Sequence, residues 1–269
     1  MKQLVAKIVE NKKIAQEFYK MRIELSYLGK SSKPGQFVEV RCSDENGPLL
    51  RRPFGIHRIS KNGIEILYEV VGKGTELLSK KRPGDIIDII GPLGNGFTLS
   101  RPPALGSRPP VLIAGGIGVA PLLALAEKIG AKRKGSYIII GAKDARGVLC
   151  EKQFSDLGCF VMVSTEDGSR GHKGYATDIL KHLLKVINCQ SSGIYACGPR
   201  PMLKAVANIA RLLNIPCQVS MEERMACGVG VCLGCPVKVK PVPGPRSPVP
   251  EYKMVCKDGP VFDAKEIAW

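Results

Sequence analysis

Cys227, Cys232 and Cys235 fall in the run Cys-Gly-Val-Gly-Val-Cys-Leu-Gly-Cys, and Cys256 follows after twenty intervening residues. The spacing C-x4-C-x2-C…C is that of plant-type [2Fe–2S] sites. Three thiolates from one short loop converge on two irons only if the loop curls tightly. Gly228, Gly230 and Gly234 are expected to allow positive φ and close approach of amide N–H groups to the sulfurs. Four thiolates, two sulfides and two ferric irons sum to about −2, so those donors matter. The competing reading is a structural zinc site with four cysteines. Zinc usually takes two short C-x2-C pairs, whereas here the first gap is four and the last ligand stands alone. Iron–sulfur is therefore preferred. Cys217 is a second candidate for the fourth ligand, but it sits ahead of the loop, directly after Pro216, and Cys256 is favoured.

Two further motifs suit a nucleotide. Ala114-Gly115-Gly116-Ile117-Gly118-Val119-Ala120-Pro121 joins an apolar run to a helical pattern. Glycines there bring backbone N–H groups and a helix N-terminus to a pyrophosphate, although the spacing is not G-x-G-x-x-G. Cys197-Gly198-Pro199 ends another apolar run, where ligands of open parallel sheets lie. Thr165, Glu166 and Asp167 follow a third run. Carboxylates near an adenine ribose favour a free 2′-hydroxyl and repel a 2′-phosphate, so NAD(H) is expected over NADP(H).

A fourth group lies nearer the start. Arg52 and the turn Gly74-Thr75 suit a diphosphate, and Phe54 or Tyr68 offers a ring to pack on a flat cofactor. His57, His172 and His182 show no metal or triad spacing and receive no chemical role. Cys42, Cys150, Cys159 and Cys189 read as small buried hydrophobes.

The elements that must carry these residues come in two styles. Phe37–Arg41, Gly63–Val70 and Asp85–Ile90 read as strands, the first two alternating at period two, and Pro-Gly and Asn-Gly turns lie between such runs, which predicts an antiparallel β-barrel over residues 1–101. Ser100–Pro110 reads as a linker. Residues 102–216 then alternate buried strands (from Val111, Ser136, Phe160 and Gly193) with helices (Pro121–Ile129, Ala176–Val186, Pro201–Leu213), the pattern of a parallel α/β domain. Residues 217–269 form a third, small segment. It is rich in proline, too small for its own core, and expected to depend on a metal cluster as a staple.

Forty Lys and Arg against 24 Asp and Glu give a net charge of +16. The basic residues are scattered and aromatics are only 6%, so a solvated basic surface is preferred to a nucleic-acid site. The longest apolar stretch, Val111–Ala126, is interrupted by glycine and proline and is shorter than the roughly 20 residues of a membrane helix. The N-terminus shows no signal-peptide core. A cytoplasmic protein with neither nucleic-acid nor membrane partner is expected.

Together these motifs resemble the ferredoxin–NADP reductase superfamily and, within it, the electron-transfer subunits of two-protein (class 1B) dihydroorotate dehydrogenases. The likeness spans nearly the whole chain. Ser220–Cys235 is its most specific stretch, supported by Val255–Phe262, Thr165–Ser169 and Gly91–Phe97. The resemblance implies FAD on the barrel, through Arg52, Pro53, Phe54 and Gly55 of an Arg-Pro-x-Ser/Thr motif, with Leu67, Tyr68, Glu69, Gly74 and Thr75. Gly55 replaces the hydroxyl residue of that motif. It implies NAD at Gly115, Gly116, Gly118, Pro121, Cys197, Gly198 and Pro199. It further implies a partner, an FMN-containing catalytic subunit in a heterotetramer with two copies of each chain. Electrons would then pass from FMN through the [2Fe–2S] cluster and FAD to NAD+ in pyrimidine biosynthesis, with no catalytic residue on this chain. The runner-up is a subunit of an NADH-dependent ferredoxin or sulfide oxidoreductase. Such relatives often carry aspartate at the first cluster position, where this chain has Cys227. A non-redox, zinc-stapled binding module is the reading from another class.

Overall fold

The computed structural model describes residues 1–43, 47–99, 109–130, 135–188, 191–241 and 251–269. Most of the predicted linker, Cys189 and much of the proline-rich stretch lie outside these residues.

Strands β1 (Lys2–Lys13), β2 (Phe18–Glu24), β3 (Phe37–Val40), β4 (Arg52–Ser60), β5 (Gly63–Glu69) and β6 (Ile86–Leu93) close an antiparallel barrel in the order β1-β2-β5-β4-β3-β6. Helix α1 (Ser26–Ser31) follows β2, and α2 (Lys73–Lys80) leads out of β5. The period-two pattern places Ile8, Met21, Ile23, Ile56, Ile64, Ile66 and Ile87 inside. β3 differs, because all four of its residues are buried. Val38 and Val40 fill the barrel. Phe37 faces outward and joins the core beneath the C-terminal segment.

The second layer holds β7 (Val111–Gly115), α3 (Val119–Gly130), β8 (Tyr137–Ala142), α4 (Glu151–Asp156), β9 (Phe160–Thr165), β10 (His172–Lys173), α5 (Ala176–Val186), β11 (Ile194–Cys197), α6 (Arg200–Leu212) and β12 (Cys217–Ser220). The sheet order is β10-β9-β8-β7-β11-β12-β15, where β15 is Val261–Asp263. Strands β7 to β12 run parallel, and β15 is antiparallel to β12. The order reverses between β7 and β11, so both glycine motifs end at one switch point, where a ligand crevice forms.

The sheet thus runs past residue 216 into β12 and takes its last strand from the chain's end. β13 (Pro236–Val239) and β14 (Glu251–Met254) form a small hairpin, followed by α7 (Val255–Asp258). Val237, Val239, Val255, Phe262 and Ile267 share one apolar cluster with α6 and β12. The C-terminal segment therefore borrows a core from the α/β layer, which its proline content had concealed.

The barrel and the sheet are joined at α3. A buried His57 on β4 donates its Nδ1 hydrogen to the Ala120 carbonyl at 3.0 Å, and Arg58 donates to Glu127 at 2.6 Å. No helix among the described residues is long and apolar enough to cross a membrane.

Candidate cluster and cofactor sites

The loop after β12 has no regular hydrogen-bonded structure between Cys227 and Cys235. Its N–H groups turn instead toward sulfur. Val229 and Cys232 donate to Cys227 Sγ at 3.4 and 3.5 Å, and Gly234 donates to Cys232 Sγ at 3.4 Å. Burial alone would push the Cys227 thiol up, but donation from the Cys232 and Val229 amides outweighs it and lowers it to about 6. This loop stabilises thiolate, the form that binds iron.

Gly228 and Gly230 take the left-handed conformation, with φ of +69° and +82°. Gly234 does not. Leu233 adopts φ +56° in its place, while Gly234 provides closeness: a Cβ there would lie 3.4 Å from Cys232 Sγ. Cys256, at the second position of α7, comes beside Cys235 and the Gly230 N–H. Burial first, then contact with Cys235, pushes its thiol up to about 12. Cys217 lies elsewhere, buried in β12 among Ala207, Ala264 and Trp269. Cys227, Cys232, Cys235 and Cys256 thus come together at one loop whose N–H groups face sulfur, a donor chemistry suited to an iron–sulfur cluster. Cys235 and Cys256 are buried, and Cys232 is exposed between Val231 and Leu233, which are 78% and 66% exposed.

Glu39 of β3 packs beneath this loop. A Cβ on Gly228 would lie 2.6 Å from Glu39 Cγ. Burial pushes the Glu39 carboxyl up to about 7, against the opposing pull of Arg51.

At the switch point lies a cleft of about 900 Å3, lined by Gly115, Gly116, Ser164, Glu166, Pro199 and Met202 from the sheet, and by Phe18 and Glu69 from the barrel. The two glycine motifs interlock. A Cβ at Gly115 would sit 2.6 Å from Pro199 Cδ, and one at Gly198 would sit 2.8 Å from the Gly115 nitrogen. Of the three residues predicted after β9, Glu166 lines the cleft. Thr165 is buried and exchanges hydrogen bonds with the Arg170 backbone, and Asp167 accepts from Ser169. Gly118, Pro121, Cys197 and Gly198 do not line the cleft; Gly118 packs on Cys197, Gly198 on Gly115 and Met202, and Pro121 faces Gly55 of the barrel. Sequence reasoning missed Ser164, whose buried hydroxyl has no hydrogen-bond partner among the described residues. The Arg146 guanidinium also lines the cleft but is held by Asp144 at 2.6 Å.

On the barrel, Gly74 lets Arg52 lie against the start of α2, 3.2 Å from where a Cβ would be. The Thr75 hydroxyl accepts from the Val71 and Gly72 N–H groups and so shapes this turn. Phe54 and Tyr68 point into the barrel core, packed edge-on at 5.6 Å, and the Tyr68 hydroxyl donates to Asn11 at 2.9 Å. Inward alternation on β4 and β5 claims both rings. Pro53 and Gly55 are left on the outer face, and among the described residues a Cβ at Gly55 would meet only Pro121, at 3.8 Å. Leu67 packs into the apolar cluster of the sheet layer.

Residues 222–268 match the iron–sulfur cluster binding domain of dihydroorotate dehydrogenase B, and residues 112–208 match the oxidoreductase NAD-binding domain. The chain is 40% identical over 265 residues to the dihydroorotate dehydrogenase B (NAD(+)) electron transfer subunit of Caldanaerobacter subterraneus subsp. tengcongensis, covering 98% of each chain. It is 41% identical to that of Bacillus caldolyticus, covering 97% and 96%. Among solved structures, a chain of an NADH-dependent reduced ferredoxin-NADP oxidoreductase superposes with a TM-score of 0.82 at 29% identity, over 99% of this chain and 90% of the other. Ferredoxin-NADP+ reductase from Plasmodium falciparum shares the fold at a TM-score of 0.61 and 16% identity, over 78% of this chain and 89% of the other. Thiolate loop, interlocked glycine motifs, reductase barrel and full-length likeness converge, and the chain belongs to the family of dihydroorotate dehydrogenase B electron transfer subunits.

Proposed function

We propose that this chain relays electrons from the FMN of a dihydroorotate-oxidising catalytic subunit to NAD+, serving pyrimidine biosynthesis. Cys227, Cys232, Cys235 and Cys256 hold the [2Fe–2S] cluster. Arg52, Pro53, Gly55, Gly74 and Thr75 hold FAD on the barrel, and the cleft at Gly115, Gly116 and Pro199 takes NAD. When bound, the cluster carries single electrons, and the flavin converts between single electrons and hydride. The observation that carries this reading is a spatial order. The cluster loop rests on the outer face of β3, β3 pairs with the flavin-motif strand β4, and the nucleotide cleft is walled by barrel and sheet together.

The chain's own residues supply binding and orientation. The Arg52 guanidinium, whose Nη1 donates to the Leu50 and Arg51 carbonyls at 2.8 and 3.1 Å, offers its charge and its remaining N–H groups to a diphosphate. Gly115 and Gly116 present backbone at the head of α3 to a second. The exposed Cys232, between Val231 and Leu233, offers the partner an approach to the cluster. Lys257 lies beside it, its stem 2.8 Å from where a Gly230 Cβ would be, and Lys238 and Lys240 are exposed nearby in sequence. We place the assembly, with two copies of each chain, in the cytoplasm.

The test is reconstitution. The holo-chain alone should oxidise NADH with an artificial acceptor and leave dihydroorotate untouched. Adding the catalytic subunit should couple dihydroorotate oxidation to NAD+ reduction, less strongly as salt rises if basic residues dock the partner. Dihydroorotate oxidation by this chain alone would refute the proposal.

A further inference from the structure

Glu39 stands where the barrel meets the cluster loop, and the relay above assigns it no role. Its neighbours Val38 and Val40 point into the barrel, so on an alternating strand Phe37 and Glu39 point out. Phe37 joins the core that holds Cys235 and Cys256. Glu39 is 0% exposed, and neither carboxylate oxygen has a hydrogen-bond partner among the described residues. An apolar residue of similar volume would fill this place without the cost of desolvating a carboxyl. Packing alone therefore does not account for glutamate here.

Its surroundings do. A Cβ on Gly228 would lie 2.6 Å from Glu39 Cγ and 3.0 Å from Oε1, so the side chain lies directly against the loop backbone next to Cys227. Its head is within the electrostatic reach of Arg51, Cys227 and Arg52. Arg51 is itself anchored by Asp88 at 2.6 Å. Along the ladder, Glu39 sits opposite Pro53 of the flavin motif on one side and Ile90 on the other. One residue thus touches the first limb of the cluster loop and pairs with the strand expected to carry the flavin.

We infer that Glu39 is a positioning residue, a spacer that fixes the Cys227 limb of the cluster loop at a set separation from β4. The limb needs one. It belongs to no strand or helix, its Gly228 and Gly230 stand in the left-handed region, and its Val229 and Cys232 N–H groups are turned onto Cys227 rather than onto the barrel. Electron transfer falls steeply with separation, so the spacer governs the step between flavin and cluster and not the NADH step on the other side of β4. The inference rests on Cys227 being a cluster ligand.

The experiment compares Glu39→Gln, Glu39→Asp and Glu39→Ala in the full chain loaded with FAD and iron. Iron content, the EPR line shape of the reduced cluster, NADH-to-dye turnover, and the rate of cluster bleaching after mixing with NADH are recorded. Glu39→Gln keeps the volume and should match wild type in line shape and bleaching rate. Glu39→Asp and Glu39→Ala withdraw the stem from Gly228. They should broaden the line shape and slow bleaching by roughly tenfold or more, the scale of an ångström's misplacement, while NADH-to-dye turnover holds. If Glu39→Ala fails to fold, the shorter carboxylate of Glu39→Asp decides by the same readings. Native line shape and bleaching rate in the shortened variants overturn the inference. So does a Glu39→Gln variant as impaired as Glu39→Ala, since that assigns the effect to charge. A wild-type chain lacking a [2Fe–2S] EPR signal refutes the ligand assignment itself, a result distinct from any difference among the variants.

Discussion

A side chain at Gly118 would occupy the place of the Cys197 carbonyl. The two glycine motifs, about 80 residues apart in sequence, are thus halves of one structure. Gly118→Ala must push β11 away from the head of α3. Overpacking of this kind costs about 1–3 kcal/mol. It should raise the KM for NADH while FAD and iron stay bound, which steady-state dye reduction alongside flavin and iron analysis will show. An unchanged KM would show that the cleft does not depend on this contact.

The cluster ligands separate cleanly by mutation. Cys232→Ser and Cys256→Ser should abolish the iron–sulfur absorption and loosen the C-terminal segment, because ligation and folding are linked there. Cys217→Ser should keep the iron and lose about 1–3 kcal/mol from burying a hydroxyl in the β12 core. Iron content and thermal melts decide, and loss of iron from Cys217→Ser would reverse the choice of fourth ligand.

Coenzyme preference should follow the cleft's charges. Glu166 faces the cleft, and Arg146 is held by Asp144. NADH should be preferred to NADPH by roughly tenfold or more, since like charges brought together cost several kcal/mol. Asp144→Ala frees Arg146 and should narrow the ratio of kcat/KM values. Equal use of both coenzymes by the wild type would remove Glu166 from the site.

His57 sets an acid limit. Burial lowers its pKa to about 4, despite the bond to Ala120, from the ordinary 6.5. Between those values the unfolded chain binds more protons than the folded one. Stability from this site is therefore complete above about pH 6.5 and is lost as pH falls toward 4, by about 3 kcal/mol in total. His57→Gln keeps an N–H donor for Ala120 and should flatten that part of the curve. Parallel urea titrations of both proteins at pH 5 and pH 7 provide the check.

Gly55 is open where the glycine motifs are closed, with Pro121 alone among the described residues in reach of a Cβ, at 3.8 Å. Gly55→Ser should fold with a stability change within about 0.5 kcal/mol, and should alter the flavin absorption band if the hydroxyl reaches the ring. A large loss of stability would place another group against this face.

What the amino-acid sequence determined by itself was local. Ligand spacing from Cys227 to Cys235, strand-to-helix glycines at 115–118, and turn residues between alternating runs each express chemistry within a few residues, so no partner segment is needed to read them. Relations between distant segments were decided only by folding. β1 and β2, with their many lysines and glutamates, become barrel walls because β6 and β5 supply their hydrogen-bond partners. Phe54 and Tyr68 turn inward because their strands' register gives them the barrel's interior. Cys256 joins the cluster loop while Cys217 is taken by the sheet, because β15 folds back onto β12. Glu39, an ordinary polar residue in an alternating strand, becomes a buried neighbour of Cys227 only because a segment almost two hundred residues later packs over it. Period and spacing are properties of one stretch of chain, whereas burial on a second face arises only when another stretch arrives to cover it.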